Sequence, residues 1–224
     1  MMKFAVIVFP GSNCDHDAYH VLSRLFNIDV EFVWHKNKSL KGYDGILIPG
    51  GFSYGDYLRT GAIARFSPIM NSIIKESENG KIVIGICNGF QILIEAGLLP
   101  GALINNNNLK FISKQVTLIA QKTDSIFTRN INEGMELKMP IAHKQGNYIA
   151  NEDTIKRLND EGRIAFKYKT VEGEENPNGS MHDIAGILNK KKNVLGMMPH
   201  PERACEEMLG SSDGKNIFKS ILRL

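Results

Sequence analysis

The sequence predicts an α/β fold built on a mostly parallel, doubly wound sheet. Short runs of β-branched, apolar residues alternate with segments of helical periodicity along the chain, which is typical of βαβ units. The 224 residues, 42% of them hydrophobic, are enough for one large domain or two small ones. No repeat or linker interrupts the alternation, so we expect a single domain over residues 1–224.

The first half of the chain is expected to alternate regularly between strands and helices. A helix capped by Asn13 or Asp15 should end at Asn27. A second helix is expected over residues 65–78, and its apolar face should pack in the core. The expected strands are 3–9, 29–34, 45–49 and 82–86, and the apolar face of the second helix comprises Phe66, Ile69, Met70, Ile73 and Ile74.

The second half of the chain reads as further strands separated by polar loops. We expect loops at 105–108 and 172–180, and a hairpin turn at Lys190-Lys191-Lys192. His143 should lie in a glycine-containing turn. The expected strands are 115–121, 136–141, 163–168, 184–188 and 194–198.

The segment around Cys87 carries the clearest chemical signal. Residues 82–86 form a buried-type strand, and helical periodicity begins within about two residues of Cys87. Gly85 and Gly89 flank the cysteine, as a tight strand-to-helix elbow requires. The N-terminus of the following helix favours negative charge and hence the thiolate. We therefore expect Cys87 to be a nucleophile; the alternative is a buried cysteine acting as a small hydrophobic residue.

A glycine-rich loop, residues 50–56, follows the third predicted strand. In a parallel sheet this loop lies at the same edge as Cys87, where ligands bind. It lacks the Lys-Ser/Thr of a P-loop. Backbone N–H groups near Gly51 and at Asn88 are suited to an oxyanion hole, and a plain tight turn is the alternative.

A histidine between two prolines completes the predicted catalytic group. Pro199 and Pro201 restrict the backbone around His200, which places its imidazole on a rigid loop after a strand. In an extended segment, Glu202 would project to the same side and accept a hydrogen bond from one ring nitrogen. The alternative is a surface His–Glu pair without a role.

Composition excludes several other classes of protein. Three cysteines at wide spacing, Cys14, Cys87 and Cys205, do not indicate a disulfide framework or a zinc site. A net charge of +3 does not indicate nucleic-acid binding. We find no membrane-spanning or signal segment and expect a cytoplasmic protein. Asp15, His16, Asp17 and His20 resemble a helix start more than a metal site, so no metal is expected.

Together these motifs resemble the class I, or triad, glutamine amidotransferases. The resemblance rests on Pro-Gly-Gly at 49–51, Gly-Ile-Cys-Asn-Gly-Phe-Gln at 85–91 and Pro-His-Pro-Glu at 199–202. Further segments at 9–15, 51–56, 176–180 and 199–203 are similar to the glutaminase subunits of phosphoribosylformylglycinamidine synthase. These motifs extend over nearly the whole chain.

The resemblance implies a flavodoxin-like three-layer sandwich and a glutaminase that acts through Cys87, His200 and Glu202. Gln91 would help to hold the glutamine substrate. The ammonia would serve the ATP-dependent conversion of formylglycinamide ribonucleotide to formylglycinamidine ribonucleotide in purine (IMP) biosynthesis. At Lys144-Gln145 the family more usually has Gly-Glu, so a carboxylate contact there is not carried over. His143 would border the active-site mouth or the partner surface, unless it is a structural loop residue.

The resemblance also implies partners, because this chain has no ATP-binding motif. A large synthetase subunit would use ATP and magnesium, and a small accessory subunit would complete the complex, while this chain would need no cofactor. Low glutaminase activity is expected for the isolated chain. Three alternatives remain: the glutaminase subunit of another synthase, a cysteine peptidase or thiol-stress protein on the same fold, and a non-enzymatic binding module.

Overall fold

The computed structural model describes residues 2–170 and 175–223; residues 172–174 of the expected loop at 172–180 therefore lie outside the described part. The strands are Lys3–Val8 (β1), Asp29–Trp34 (β2), Gly45–Ile48 (β3), Ile82–Ile86 (β4), Ala102–Ile104 (β5), Ile112–Ala120 (β6), Glu136–His143 (β7), Asn147–Ile149 (β8), Ile164–Tyr168 (β9), Ile184–Leu188 (β10) and Val194–Met197 (β11). The α-helices are Asp15–His20 (α1), Pro68–Glu78 (α2), Asn88–Glu95 (α3), Glu152–Asp160 (α4) and Lys215–Leu222 (α5).

The chain clusters into two compact units, which are described separately. The first comprises residues 1–99 and 193–196, and the second comprises residues 100–192 and 197–224. The expectation of a single domain stays a prediction.

The first unit contains a sheet with the strand order β2-β1-β3-β4-β11. The pairs β1/β2, β1/β3 and β3/β4 are all parallel. Strands β3 and β4 are almost completely buried, which explains why they are apolar on both faces. The carboxyl ends of β1, β3 and β4 lie at one edge, so the loops that follow these strands meet there.

Two details of the first unit differ from the prediction for α1. The N-cap residue is Cys14, and no side chain caps the helix. Asp15 is instead the first helical residue, and the Asn13 side chain accepts a hydrogen bond from the Cys14 thiol. The predicted caps are therefore wrong. After His20 the chain continues as one π-helical turn, Val21–Leu25, and Asn27 follows with a φ of +52°.

The prediction for Phe66 is also wrong. A short 3₁₀ turn, Ala64–Phe66, precedes α2, which begins at Pro68. Phe66 thus lies outside the helix and is 75% exposed, whereas Ile69, Met70 and Ile73 are buried as predicted. Proline at the first helical position fixes this boundary, because its missing N–H costs nothing there.

The second unit is antiparallel, which the sequence did not predict. Its main sheet has the order β10-β9-β6-β7, and β5 pairs with β8 separately. Helices α4 and α5 were not predicted either.

The α/β fold class is confirmed, and the predicted parallel pairing is present in the first unit. The lysine run at 190–192 lies in a turn after β10, as expected. No α-helix in the described part of the chain is long and apolar enough to span a bilayer.

Candidate active site

Cys87 lies at the predicted elbow between β4 and α3. It is the N-cap residue of α3, with φ 50° and ψ −106°. A positive φ is uncommon for a residue other than glycine and costs about 1–3 kcal/mol. Cys87 is 5% exposed. The structure therefore holds this thiol in a strained conformation at a helix N-terminus, which is the arrangement of a nucleophile elbow.

The two glycines beside Cys87 allow close packing of the elbow. A Cβ atom at Gly89 would lie 2.0 Å from the carbonyl oxygen of Ile48, at the end of β3. A Cβ atom at Gly85 would lie 2.7 Å from the backbone of Gly89. The prediction that larger residues would collide here is confirmed.

The glycine-rich loop after β3 is bound to the loop after β1. The carbonyl oxygen of Gly50 accepts a hydrogen bond from the Cys14 N–H, and the Phe52 N–H donates to the carbonyl oxygen of Gly11. Gly51 has a φ of +138°, and a Cβ atom there would lie 2.7 Å from the Asn13 nitrogen. Only glycine fits this position, so the backbone near Gly51 is held in place by the neighbouring loop.

A hydrogen bond joins the glycine-rich loop to the cysteine elbow. The Ser53 N–H donates to Asn88 Oδ1 at 3.1 Å. The Asn88 amide nitrogen in turn donates to Gln91 Oε1 at 2.9 Å. All three residues are buried. In the first unit, the structure thus brings together Asn88, Gln91 and the loop that carries Gly51.

In the second unit, His200 is held between two prolines and by its own backbone. Its N–H donates to the carbonyl oxygen of Pro140 on β7 at 2.9 Å. Its ring Nδ1 lies 2.6 Å from Glu202 Oε1, and both side chains are almost completely buried. The predicted His–Glu pair is therefore present. Glu202 lies in a 3₁₀ turn, Pro201–Arg203, and not in the extended segment that we expected.

The His–Glu contact determines which ring nitrogen of His200 can accept a proton. A carboxylate only accepts hydrogen bonds, so Nδ1 carries the hydrogen in the contact with Glu202. In the neutral ring Nε2 is then the basic nitrogen. The pair has the chemistry of a histidine base oriented by a carboxylate.

Cys205 lies near this pair but differs from Cys87 in its environment. Burial, and then the negative charge of Glu202, raises the pKa of the Cys205 thiol to about 12. Its Sγ donates to the carbonyl oxygen of Pro201 at 3.1 Å. Cys205 is therefore a protonated structural thiol near neutral pH. None of the three cysteines forms a disulfide.

His143 is the last residue of β7, so its predicted place in a turn is wrong. Eight residue pairs join β6 to β7 up to Ile112 and His143, which extends the strand beyond its expected end at Ile141. The His143 side chain is 3% exposed. Its Nδ1 lies 3.1 Å from Asn106 Oδ1. The Asn106 amide nitrogen donates to the carbonyl oxygens of Lys110 and His143. These two bonds orient the Asn106 amide so that its oxygen faces the His143 ring.

This environment keeps His143 neutral. Burial, and secondly electrostatic repulsion by His200, lowers the pKa of His143 to about 4. Because Asn106 Oδ1 accepts from Nδ1, the hydrogen sits on Nδ1. Nε2 has no hydrogen-bond partner among the described residues. His143 is thus a buried histidine near His200 that carries no charge at neutral pH.

Two residues that contribute to these sites, Ser53 and Asn106, were not predicted from the sequence. Ser53 contributes a backbone N–H, which any residue could supply, so no sequence signal marks it. Asn106 is completely buried, although the sequence predicts a polar loop at residues 105–108. The loop itself is confirmed, but a run of four asparagines gives no sign of which one is buried.

Comparison with known proteins identifies the family. The model of the CobB/CobQ-like glutamine amidotransferase domain matches residues 1–219. The chain is 53% identical, over 225 residues, to the phosphoribosylformylglycinamidine synthase subunit PurQ of Koribacter versatilis, with 99% of this chain and 97% of that protein covered. It also matches a chain in the structure of PurLQS from Thermotoga maritima with a TM-score of 0.89 and 46% identity, over 99% of this chain and 98% of that one.

A more distant solved structure has the same fold. A glutamine amidotransferase from Thermotoga maritima has a TM-score of 0.60 at 14% identity, with 99% of this chain and 90% of that one covered. This likeness concerns the fold alone. The family match and the 53% identical relative show that the chain belongs to the glutamine amidotransferases and, among them, to the glutaminase subunits of phosphoribosylformylglycinamidine synthase.

Proposed function

We propose that Cys87, His200 and Glu202 hydrolyse glutamine to glutamate and ammonia. The ammonia then serves the conversion of formylglycinamide ribonucleotide to formylglycinamidine ribonucleotide in purine biosynthesis. The observation that carries this proposal is the strained elbow at Cys87, because a thiol at positive φ on a helix N-terminus is arranged for nucleophilic attack. The family of the chain supplies the class of substrate.

The proposed reaction has two steps. The Cys87 sulfur attacks the carboxamide carbon of glutamine, and His200 takes up the thiol proton and transfers it to the departing ammonia. Water, deprotonated by the same imidazole, then attacks the thioester and releases glutamate and the free thiol. Backbone N–H groups near Gly51 and at Asn88 stabilise the oxyanion that forms in each step.

Glu202 and Gln91 have supporting roles in this proposal. Glu202 holds the His200 ring in one tautomer and stabilises the imidazolium that forms during each step. Gln91 is buried four residues after the nucleophile and helps to hold the substrate.

We further propose that the chain works in the cytoplasm, in a complex with a large synthetase and a small accessory subunit. The similar Thermotoga maritima chain comes from a structure of PurLQS, which supports this assembly. ATP and magnesium belong to the synthetase, and this chain needs no cofactor. Ammonia is mostly protonated and non-nucleophilic at neutral pH, so transfer requires a route shielded from water.

Covalent trapping tests the proposed nucleophile. A diazo-ketone analogue of glutamine should add one label per chain at Cys87, as measured by intact mass and peptide mapping. Excess glutamine should block the label, and Cys87→Ser should abolish it. Cys205→Ser is the matched control and should label like the wild type. No labelling of the wild type, even with the synthetase present, would overturn the assignment.

The rate of glutamate formation tests whether the glutaminase activity depends on the partner proteins. Glutamate formation should be slow for the chain alone and should rise when the synthetase, the accessory protein, ATP and formylglycinamide ribonucleotide are added. An equal rate with and without the partner proteins would contradict the proposed coupling.

A further inference from the structure

The hydroxyl group of Tyr54 ties the glycine-rich loop to two other segments of the first unit. Its oxygen lies 2.9 Å from His35 Nδ1 and 3.0 Å from Ser67 Oγ. We infer that Tyr54 is a positioning residue, whose hydroxyl group anchors the loop so that the Gly51 N–H is held where the oxyanion of the glutaminase reaction forms. This inference deepens the proposed function and rests on it.

His35 gives the Tyr54 hydroxyl a fixed point of attachment. It directly follows β2, and its N–H donates to the carbonyl oxygen of Val8 at 3.0 Å. Its own carbonyl oxygen accepts from the Ile69 N–H at 3.1 Å. The His35 side chain is buried, and the Tyr54 ring meets its ring edge-on with 5.6 Å between the centroids. The hydroxyl is thus bound to the end of β2, which is itself joined to β1 and α2.

Ser67 forms this anchor in place of a helix cap. It is the N-cap residue of α2, yet its side chain makes no capping hydrogen bond. Serine is favoured at this position because its oxygen can accept from an N–H of the first turn, which stabilises the helix. Here the Ser67 oxygen instead lies 3.1 Å from His35 Nδ1, in addition to its contact with Tyr54. The side chain therefore serves the attachment of the loop and not the start of the helix.

The segment around Tyr54 needs such an attachment because its backbone is strained. Tyr54, Asp56 and Leu58 all have positive φ angles, of +54°, +53° and +69°. Residues other than glycine are disfavoured in this left-handed region, and they stay there only where surrounding contacts hold them. Without the hydroxyl contacts, we expect the segment to relax and the preceding residues of the loop to move with it.

The N–H groups of the loop show why its position matters for the reaction. Those of Phe52, Ser53 and Tyr54 all donate to acceptors within the first unit. The Gly51 N–H has no acceptor among the described residues, so it is the one of residues 51–54 that is left for the oxyanion. A donor stabilises an oxyanion only at hydrogen-bond distance. A small displacement of the loop should therefore slow the reaction.

Tyr54→Phe tests the inference because it removes only the hydroxyl group. His35 Nδ1 and Ser67 Oγ remain hydrogen-bonded to each other, so neither loses its last partner. In the complete synthase, we expect kcat with glutamine to fall about ten- to a hundredfold, because the oxyanion donor is displaced. The KM for glutamine should stay within about twofold of the wild type, because the donor acts mainly on the transition state.

A matched control and two further measurements separate this role from a general structural effect. Tyr43→Phe also removes a hydrogen-bonded hydroxyl group from the first unit, but Tyr43 precedes β3, whereas the loop follows it. It should leave kcat unchanged. In Tyr54→Phe, synthesis driven by ammonium chloride should stay within about twofold of the wild type, and the diazo-ketone should still label Cys87 once per chain. Loss of either would show a general structural defect and overturn the inference.

Ser67→Ala keeps the test valid if Tyr54→Phe does not fold. Ser67 makes no capping bond, so alanine there removes no cap. We expect kcat to fall about three- to tenfold, because the Tyr54 hydroxyl keeps its contact with His35. Adding Ser67→Ala to Tyr54→Phe should lower kcat by less than a further factor of about two, because both act through one anchor.

An unchanged kcat in Tyr54→Phe or in Ser67→Ala would overturn the inference, as would two effects that multiply fully in the double variant. A wild-type complex that uses ammonia but not glutamine would instead overturn the proposed function.

Discussion

Gly89 lies against the carbonyl oxygen of Ile48, so close that a Cβ atom at position 89 would be 2.0 Å from that oxygen. Two opposing effects act on a Gly89→Ala substitution. Alanine favours an α-helix by about 1 kcal/mol over glycine, but a backbone clash in a packed site costs about 1–3 kcal/mol or more. Because the atom in contact is backbone and cannot move away, we expect a net loss of about 2 kcal/mol in the free energy of unfolding.

Denaturant unfolding checks the Gly89 prediction. Gly80→Ala is the control, because Gly80 has open space around it and a φ of +87°. The free energy of unfolding of Gly80→Ala should fall by only about 1–2 kcal/mol, because of left-handed backbone strain. Equal or greater stability of Gly89→Ala relative to the wild type would show that the elbow is not tightly packed.

Glu202→Gln should lower the glutaminase rate strongly without preventing folding. Glutamine has nearly the same shape, but it lacks the negative charge that stabilises the imidazolium of His200 in each step. We expect kcat to fall about 10²- to 10³-fold in the reconstituted synthase. Steady-state assays of glutamate formation measure this effect. Glu133→Gln removes the same charge at an exposed position of the same unit and should behave like the wild type.

The buried, neutral state of His143 predicts a loss of stability in acid. The pKa of His143 is about 4 in the folded protein and near 6.5 in the unfolded chain. Below pH 6.5 the unfolded state binds a proton that the folded state does not bind. The stabilisation present above pH 6.5 is therefore lost as the pH falls toward 4, by about 3 kcal/mol.

Unfolding at several pH values tests this prediction. His143→Gln should lack this component, so its free energy of unfolding should depend less on pH between 4.5 and 6.5 than that of the wild type. His20→Gln, at an exposed helix end, should keep the wild-type pH dependence. An identical pH dependence for His143→Gln and the wild type would contradict the assignment.

Asp56 should give the opposite pH dependence. Burial raises the pKa of its carboxyl group to about 6, and its Oδ1 has no hydrogen-bond partner among the described residues. Between pH 3.8 and about 6 the folded state binds more protons than the unfolded state, so this group lowers stability as the pH rises. Asp56→Asn should raise the melting temperature by a few degrees above pH 6.5, with little effect near pH 4. Thermal unfolding at pH 4.5 and 7.5 measures the difference, and an equal shift at both values would refute it.

Two strands of the parallel sheet could be predicted closely, for different reasons. Both faces of β4 are buried, whereas the edge strand β2 is exposed at four of its six positions and is marked by its β-branched and aromatic residues. The predicted residues 29–34 and 82–86 are those of β2 and β4. The cysteine elbow and the His–Glu pair could also be located, since glycines and prolines at fixed spacing restrict the backbone. Helix α5 was overlooked although a signal was present: Ile217, Phe218, Ile221 and Leu222 form an apolar stripe at helical spacing.

Other features depend on tertiary contacts that leave no local pattern. The antiparallel order of the second unit is a pairing between distant segments, and alternation along one strand does not identify its neighbour. Helix α4 buries only Ile155 and Leu158, and its best signal was the cap at Asn151, which accepts from the Thr154 N–H. Burial of Asn106 and the contact between Ser53 and Asn88 are likewise visible only in three dimensions.

The pair of amides at Asn88 and Gln91 has a consequence for how this protein should be compared with its relatives. An amide has almost the same outline when its oxygen and nitrogen are exchanged. In this protein the Ser53 N–H fixes the Asn88 oxygen and so sets the polarity of the pair. In a relative without that N–H contact, both amides could be rotated with every Cα atom left in place. A backbone superposition would show two identical elbows, and only a method that distinguishes nitrogen from oxygen, such as neutron diffraction or ¹⁵N NMR, would show that their amides are oriented differently.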